Sequence, residues 1–155
     1  MTEVAERDTA QERDADRLLE GVRMAFVVAN EGVEQVELLE PLQAVLEAGG
    51  SPSLVAPESG RIQLMNHLDK ADSRTVDVVT GGVGLQDFDA VVLPGGVANP
   101  DRLRRDEPAV AFVRDTTVGG RSVAVICHGP WTLIEADVVR GRTLTTWPSR
   151  RACSC

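Results

Sequence analysis

Residues 123–130 read Val-Ala-Val-Ile-Cys-His-Gly-Pro, and no other stretch constrains this chain as tightly. Four apolar residues in a row suit a short buried strand. Gly129 and Pro130 then impose an abrupt turn. Proline suits the first position of a helix, where an amide has no intrahelical acceptor anyway. The largely apolar residues 131–134 continue that helix. Cys127 therefore stands where a strand turns sharply into a helix, the geometry of a nucleophile elbow. Such a turn lifts a side chain above the end of a sheet. The same place aims the thiol at a helix N-terminus, whose partial positive charge favours thiolate.

The chain before the elbow supplies the sheet. Residues 22–29 are nearly all apolar and predict a strand buried on both faces, stopped by Asn30-Glu31-Gly32. Leu38, Leu39, Leu42, Val45 and Leu46 then recur at helical spacing within residues 36–48. Pro41 should kink that helix or restart it, and Gly49-Gly50 ends it. Residues 52–56 give a second strand, completing a βαβ unit and implying a parallel sheet. Residues 62–83 predict short edge strands or a hairpin. Residues 89–93 predict another buried strand, closed by Pro94-Gly95-Gly96. Asn99-Pro100-Asp101 has the pattern of a cap followed by a first-turn proline. Glu107-Pro108 opens the next helix and Gly119-Gly120 ends it. Residues 144–146 predict a last strand before Trp147-Pro148. The expected fold is α/β: a doubly wound, flavodoxin-like, mostly parallel sheet flanked by helices. Its expected limits are a polar tail at 1–20, one domain at 21–149 and an atypical short C-terminus at 150–155.

Composition excludes several classes. A chain of 155 residues with 43% hydrophobic residues can bury one real core, and with 3% aromatics that core is Val, Leu and Ala. The formal charge of -8 comes from 16 basic against 24 acidic residues, with no basic stripe, so a nucleic-acid partner is not expected. Three cysteines, two of them in the last three residues, make no disulfide framework and fit a reducing cytoplasm. Cys153 and Cys155 lack a second ligand pair, so no metal is expected. The charged N-terminus carries no apolar signal segment, and no run is long enough to span a membrane. His67, with no partner nearby in sequence, is expected at the surface.

In an open parallel sheet, ligands bind beyond the carboxyl ends of the strands. Three such ends carry chemistry here: Glu31 and Glu34 after the first strand, Gly95-Gly96 after the third, and Cys127-His128 at the elbow. Paired glycines let backbone N–H groups approach a substrate oxygen, so Gly95 and Gly96 are candidates for an oxyanion hole. A carboxyl group beside a cysteine can share a proton with its sulfur. Each signal has a plainer reading: a buried cysteine is usually an inert small hydrophobe, and Glu34 at a helix start complements the dipole.

Taken together and in order, these residues resemble the PfpI family of intracellular cysteine peptidases, within the ThiJ/PfpI superfamily of glutamine-amidotransferase-like folds. The matching pieces are residues 29–38 (Ala-Asn-Glu-Gly-Val-Glu-Gln-Val-Glu-Leu), 92–96 (Val-Leu-Pro-Gly-Gly) and 124–130 (Ala-Val-Ile-Cys-His-Gly-Pro), with Val139-Arg140-Gly141-Arg142 behind them. The resemblance implies Cys127 as nucleophile, Glu34 as its hydrogen-bonded carboxyl and His128 as the imidazole beside it. It implies an oxyanion hole shaped by the Gly96 and His128 amides. It also implies that Asp101 orients the histidine of a neighbouring subunit, hence a homo-oligomer with the site at the interface. The family chain continues past Trp-Pro with further strands and a closing helix, so residues 150–155 read as a C-terminal truncation or a shifted frame.

The expected activity is that of a thiol hydrolase needing no cofactor. Its substrates are peptides, or small carbonyl compounds such as methylglyoxal and the glycated proteins they form, in a stress response. A glutamine amidotransferase would use a later His and Glu of its own chain, and no such pair follows Cys127 at a distance, so that activity ranks low. The alternatives are a redox-sensing or chaperone-like stress protein, because a low-pKa thiol is what peroxide oxidises first, and an inactive truncated homologue.

Overall fold

A computed structural model describes residues 17–147. The expectations for the tail before residue 17 and for 148–155, including Cys153 and Cys155, lie outside the described residues. Within them the tail is already tied down at its end: the Leu19 N–H donates to the Ala48 carbonyl at 2.8 Å, and the Leu19 side chain packs on the core.

Among the described residues, eight strands and four helices follow in the order β1 (Arg23–Val27), β2 (Glu31–Glu34), α1 (Gln35–Glu47), β3 (Ser51–Ala56), β4 (Arg61–Asn66), β5 (Asp69–Thr75), β6 (Val78–Val79), β7 (Ala90–Leu93), α2 (Ala98–Leu103), α3 (Glu107–Val118), β8 (Ser122–Val125) and α4 (Pro130–Glu135), with a 3-10 turn at Thr80–Gly82. Five strands form one sheet in the order β6-β3-β1-β7-β8, and every pair in it is parallel. The mostly parallel α/β sheet expected from the buried runs is therefore the architecture of the chain.

The alternation along β1 explains why helices cover both faces. Ala25, Val27 and Ala29 point into one apolar cluster, with Leu103 of α2, Val110 and Phe112 of α3 and Leu133 of α4. Phe26 and Val28 point into the other, with Leu38 and Val45 of α1. Strands that bury both faces cannot show a polar alternation, which is why β1 reads as a continuous apolar run. The chain leaves β1 through α1 to β3 on one side, and later places β7 on the other side. The crevice at the carboxyl end of β1 and β7 is thus the switch point where ligands bind in sheets of this kind.

Several local expectations are corrected. Pro41 does not restart its helix; α1 runs as one helix from Gln35 to Glu47, held on either side of the proline by buried Leu38 and Val45. Between β1 and α1 the chain forms a strand the sequence did not announce: β2 pairs with β4 in a second sheet, order β2-β4-β5, in which β4 and β5 form the hairpin expected as one alternative. Asn99 is not a cap. It lies inside α2, fully buried. Residues 144–146 form no strand, because the backbone there turns to the elbow: the Trp147 N–H donates to the Cys127 carbonyl at 3.2 Å. Asp106 caps α3 by accepting from the Ala109 N–H at 2.8 Å, and Pro108 occupies the first turn as expected.

Candidate active site

Cys127 takes the elbow conformation. Its φ is 55°, in the left-handed region that a residue with a Cβ rarely adopts. Tight packing enforces this turn. A Cβ on Gly129 would strike the Leu93 carbonyl and crowd the Val125 side chain, so the chain can reverse here only with glycine at that position. Helix α4 then starts at Pro130. The thiol is free and half-buried.

Four groups converge on its sulfur. The Gly96 and His128 amides both donate to it, and Glu37 hydrogen-bonds it from α1. The His128 ring folds back so that Nδ1 lies 3.2 Å from Sγ. That ring is buried, edge-on to Trp131 with centroids 5.2 Å apart, and it faces Trp147 at 6.3 Å.

The carboxyl partner is Glu37, and this corrects the expectation of Glu34. Because β2 occupies residues 31–34, α1 begins only at Gln35, and its first turn brings Glu37 onto the elbow. Glu34 lines the same cleft as the sulfur, but its carboxylate is held by the β4–β5 turn. Its two carboxylate oxygens accept from the His67 N–H at 3.2 and 3.0 Å. The His67 ring itself is at the surface, as expected.

The two glycines divide their work. The Gly95 N–H donates to Glu37 Oε2 at 2.8 Å, so it orients the carboxyl instead of serving an oxyanion hole. A Cβ there would collide with that oxygen and with the Cys127 Cβ. Gly96 has φ 83°, and a Cβ on it would strike the Gly32 carbonyl. Its amide is left to face the sulfur. Asn99, whose role the sequence concealed, locks this turn. Its Oδ1 accepts from the Ala29 N–H at 2.7 Å, and its Nδ2 donates to the Pro94 and Gly95 carbonyls at 2.9 and 3.1 Å. The signal available was a polar residue three positions after the paired glycines, next to a proline.

Burial and the Glu37 carboxylate push the Cys127 thiol up from its ordinary value, and the Gly96 and His128 amides only partly oppose them. The expected thiolate at a helix N-terminus is therefore corrected: the resting side chain is a thiol beside a carboxylate. Helix α4 has six residues, too short for its dipole to outweigh a full charge nearby. The Glu37 carboxyl is placed within hydrogen-bond reach of the thiol, where it can take the proton of the sulfur.

A cleft of about 1000 Å³ opens above the sulfur, walled by Gly96, His128, Trp131 and Trp147. Asp101 stands on its rim, where Arg104 forks it at 3.0 and 2.8 Å. Among the described residues no group of three His, Cys, Asp or Glu side chains could hold a metal, and no helix is long and apolar enough to cross a membrane.

A cysteine raised on a strand-to-helix turn at the switch point of a parallel sheet, with two amides and a carboxyl on its sulfur, defines the class of α/β proteins built around a nucleophile elbow. Sequence comparison narrows it: the DJ-1/PfpI family model matches residues 22–153, and the chain belongs to that family. It is 40% identical over 127 residues to the "Deglycase PH1704" of Pyrococcus horikoshii, covering 82% of this chain and 73% of that one. It is 33% identical over 125 residues to the "Putative cysteine protease YraA" of Bacillus subtilis, covering 81% and 72%. The structure of oxidized DJ-1 from Toxoplasma gondii superposes with a TM-score of 0.73 over 82% of this chain and 67% of that one; at 19% identity this shows the fold alone.

Proposed function

We propose that this chain is a cysteine-dependent hydrolase of the PfpI type, which converts α-oxoaldehydes such as methylglyoxal, or the adducts they leave on proteins, to α-hydroxy acids. The carrying observation is the sulfur of Cys127 held between the Glu37 carboxyl and the amides of Gly96 and His128. The similarity to a relative named a deglycase supports the same reading.

In this reading Glu37 takes the thiol proton as the sulfur adds to the aldehyde carbon, and the Gly96 and His128 amides hold the developing oxyanion. Where the substrate is an amine adduct, the displaced nitrogen leaves with a proton from His128. Glu37 passes the thiol proton to the oxyanion, completing the hemithioacetal. The freed carboxylate then takes the C–H proton and returns it to the neighbouring carbon, while the O–H proton passes to the former ketone oxygen, giving a thioester. The aldehyde carbon is oxidised as the ketone carbon is reduced, so no external oxidant is needed. Water hydrolyses the thioester, releasing lactate from methylglyoxal and restoring the thiol. Peptide hydrolysis is the second reading. The 3.2 Å contact between Sγ and His128 Nδ1 favours it, being the thiol–imidazole pair that an acyl-enzyme requires.

A second copy closing the cleft would bring Asp101 to the neighbour's His128, and sedimentation tests that assembly. The reaction is tested by lactate formation from methylglyoxal, beside cleavage of a fluorogenic peptide, for the wild type and Cys127→Ala. Lactate from the wild type and none from C127A is the expected result. Peptide cleavage without lactate selects the second reading, and a folded wild type inert in both assays overturns both.

A further inference from the structure

The carbonyl oxygen of Cys127 receives two hydrogen bonds from one distant segment. Thr146 Oγ1 donates at 2.9 Å, from a residue 19 positions along the chain. The Trp147 N–H donates at 3.2 Å. This carbonyl belongs to the peptide unit that joins Cys127 to His128. In a planar trans peptide the C=O and N–H bonds point in opposite directions, so holding the oxygen aims the nitrogen. The N–H at the other end of this unit is that of His128, one of the two amides turned onto the Cys127 sulfur. The unit needs such a hold, because Cys127 sits at φ 55°, a conformation that persists in a residue with a Cβ only where its surroundings impose it.

The two donors are not equivalent. The Trp147 amide is main chain and would be present with any residue there. The Thr146 hydroxyl is a side chain, half-buried against the elbow. We propose that Thr146 is a positioning residue of this site: through the Cys127 carbonyl its hydroxyl aims the His128 N–H at the point where negative charge develops. The inference rests on the reading of Cys127 as the nucleophile. It extends that reading to a residue in a segment that forms neither strand nor helix.

Two readings separate positioning from a merely structural role. The first is turnover. Removing an oxyanion donor outright costs on the order of 100-fold or more in kcat, and a donor left in place but poorly aimed costs less. Thr146→Val keeps the shape and removes the hydroxyl; kcat for methylglyoxal should fall about 5- to 10-fold with KM within about twofold. Thr146→Ser, which restores the donor, should recover most of the loss. The second reading needs no turnover: the rate of Cys127 alkylation by iodoacetamide as a function of pH. A less well-aimed His128 N–H stabilises the thiolate less, so the inflection in T146V should move to higher pH and return in T146S.

Should T146V fail to fold, Thr146→Ala removes the same hydroxyl without placing a methyl group against the carbonyl. If the variants only lower the melting temperature, with kcat and the alkylation profile unmoved, the proposal is overturned. If the wild type forms no lactate, the proposed reaction fails, and the alkylation comparison alone still decides the role of Thr146.

Discussion

Cys127 and Glu37 come from elements 90 positions apart in the chain, yet the carboxyl acts directly on the thiol, adding to the effect of burial. The carboxylate raises the thiol both by its charge and by its hydrogen bond. Glu37→Gln removes that charge, so the inflection for Cys127 alkylation should move to lower pH and the thiol should react faster near neutrality. Turnover should nevertheless fall, by about 100-fold or more, because the group that carries the proton is gone. An alkylation profile that stays in place would show that Glu37 does not control the thiol. The family resemblance read from the sequence pointed to Glu34. The two glutamates are three residues apart, and the choice between them turns on β2, a short strand with no apolar run to announce it.

At the scale of elements, the long apolar segments were legible and the short connections were not. β1, β3, β7, α1 and α3 bury enough side chain to leave a periodic or continuous apolar signal. The turn that presents Gly96 depends instead on a single amide side chain. Asn99 bridges the end of β1 and the Pro94-Gly95 backbone through three hydrogen bonds, and it is fully buried. Asn99→Ala would strand the Ala29 N–H and two carbonyls away from water. Chemical denaturation should register a loss of about 2–4 kcal/mol. If the variant unfolds at the denaturant concentration of the wild type, Asn99 is not what holds the turn. Residues 144–146 carry a β-like pattern, but the Thr146 hydroxyl and Trp147 amide go to the elbow carbonyl instead of to a ladder.

For the whole molecule, the sheet is clasped at the end opposite the cleft. Asp89, at the start of β7, accepts from the Arg23 main-chain N–H at 2.9 Å and from its guanidinium at 3.1 Å. Arg121 lies 3.7 Å from the same carboxylate, so three strand entrances meet there. The Arg23 hydrogen bonds hold the Asp89 carboxyl at about 2, below its ordinary 3.8. A carboxyl depressed in the folded state binds its proton more readily when unfolded. Its contribution is therefore complete above about pH 4 and is lost as the pH falls toward 2. Asp89→Asn should lower the melting temperature at pH 6, and the difference from the wild type should shrink steadily across pH 4 to 2. A difference independent of pH would mean that the charge at Asp89 contributes nothing.

Patterns local in the chain were open to reading before any coordinates: buried strands, the amphipathic faces of α1 and α3, the strand-to-helix turn at Cys127, and the glycines beside it. Each reflects a constraint within a few neighbouring residues, namely burial on both faces of a strand, helical periodicity, or a backbone angle few residues accept. The carboxyl that faces the sulfur, the resting protonation of the thiol, the buried Asn99 and the hold of Thr146 on the elbow were not open in that way. They depend on how far each helix is displaced by the strand before it and on which distant groups meet in a space without water. Distance and burial of that kind belong to the folded chain.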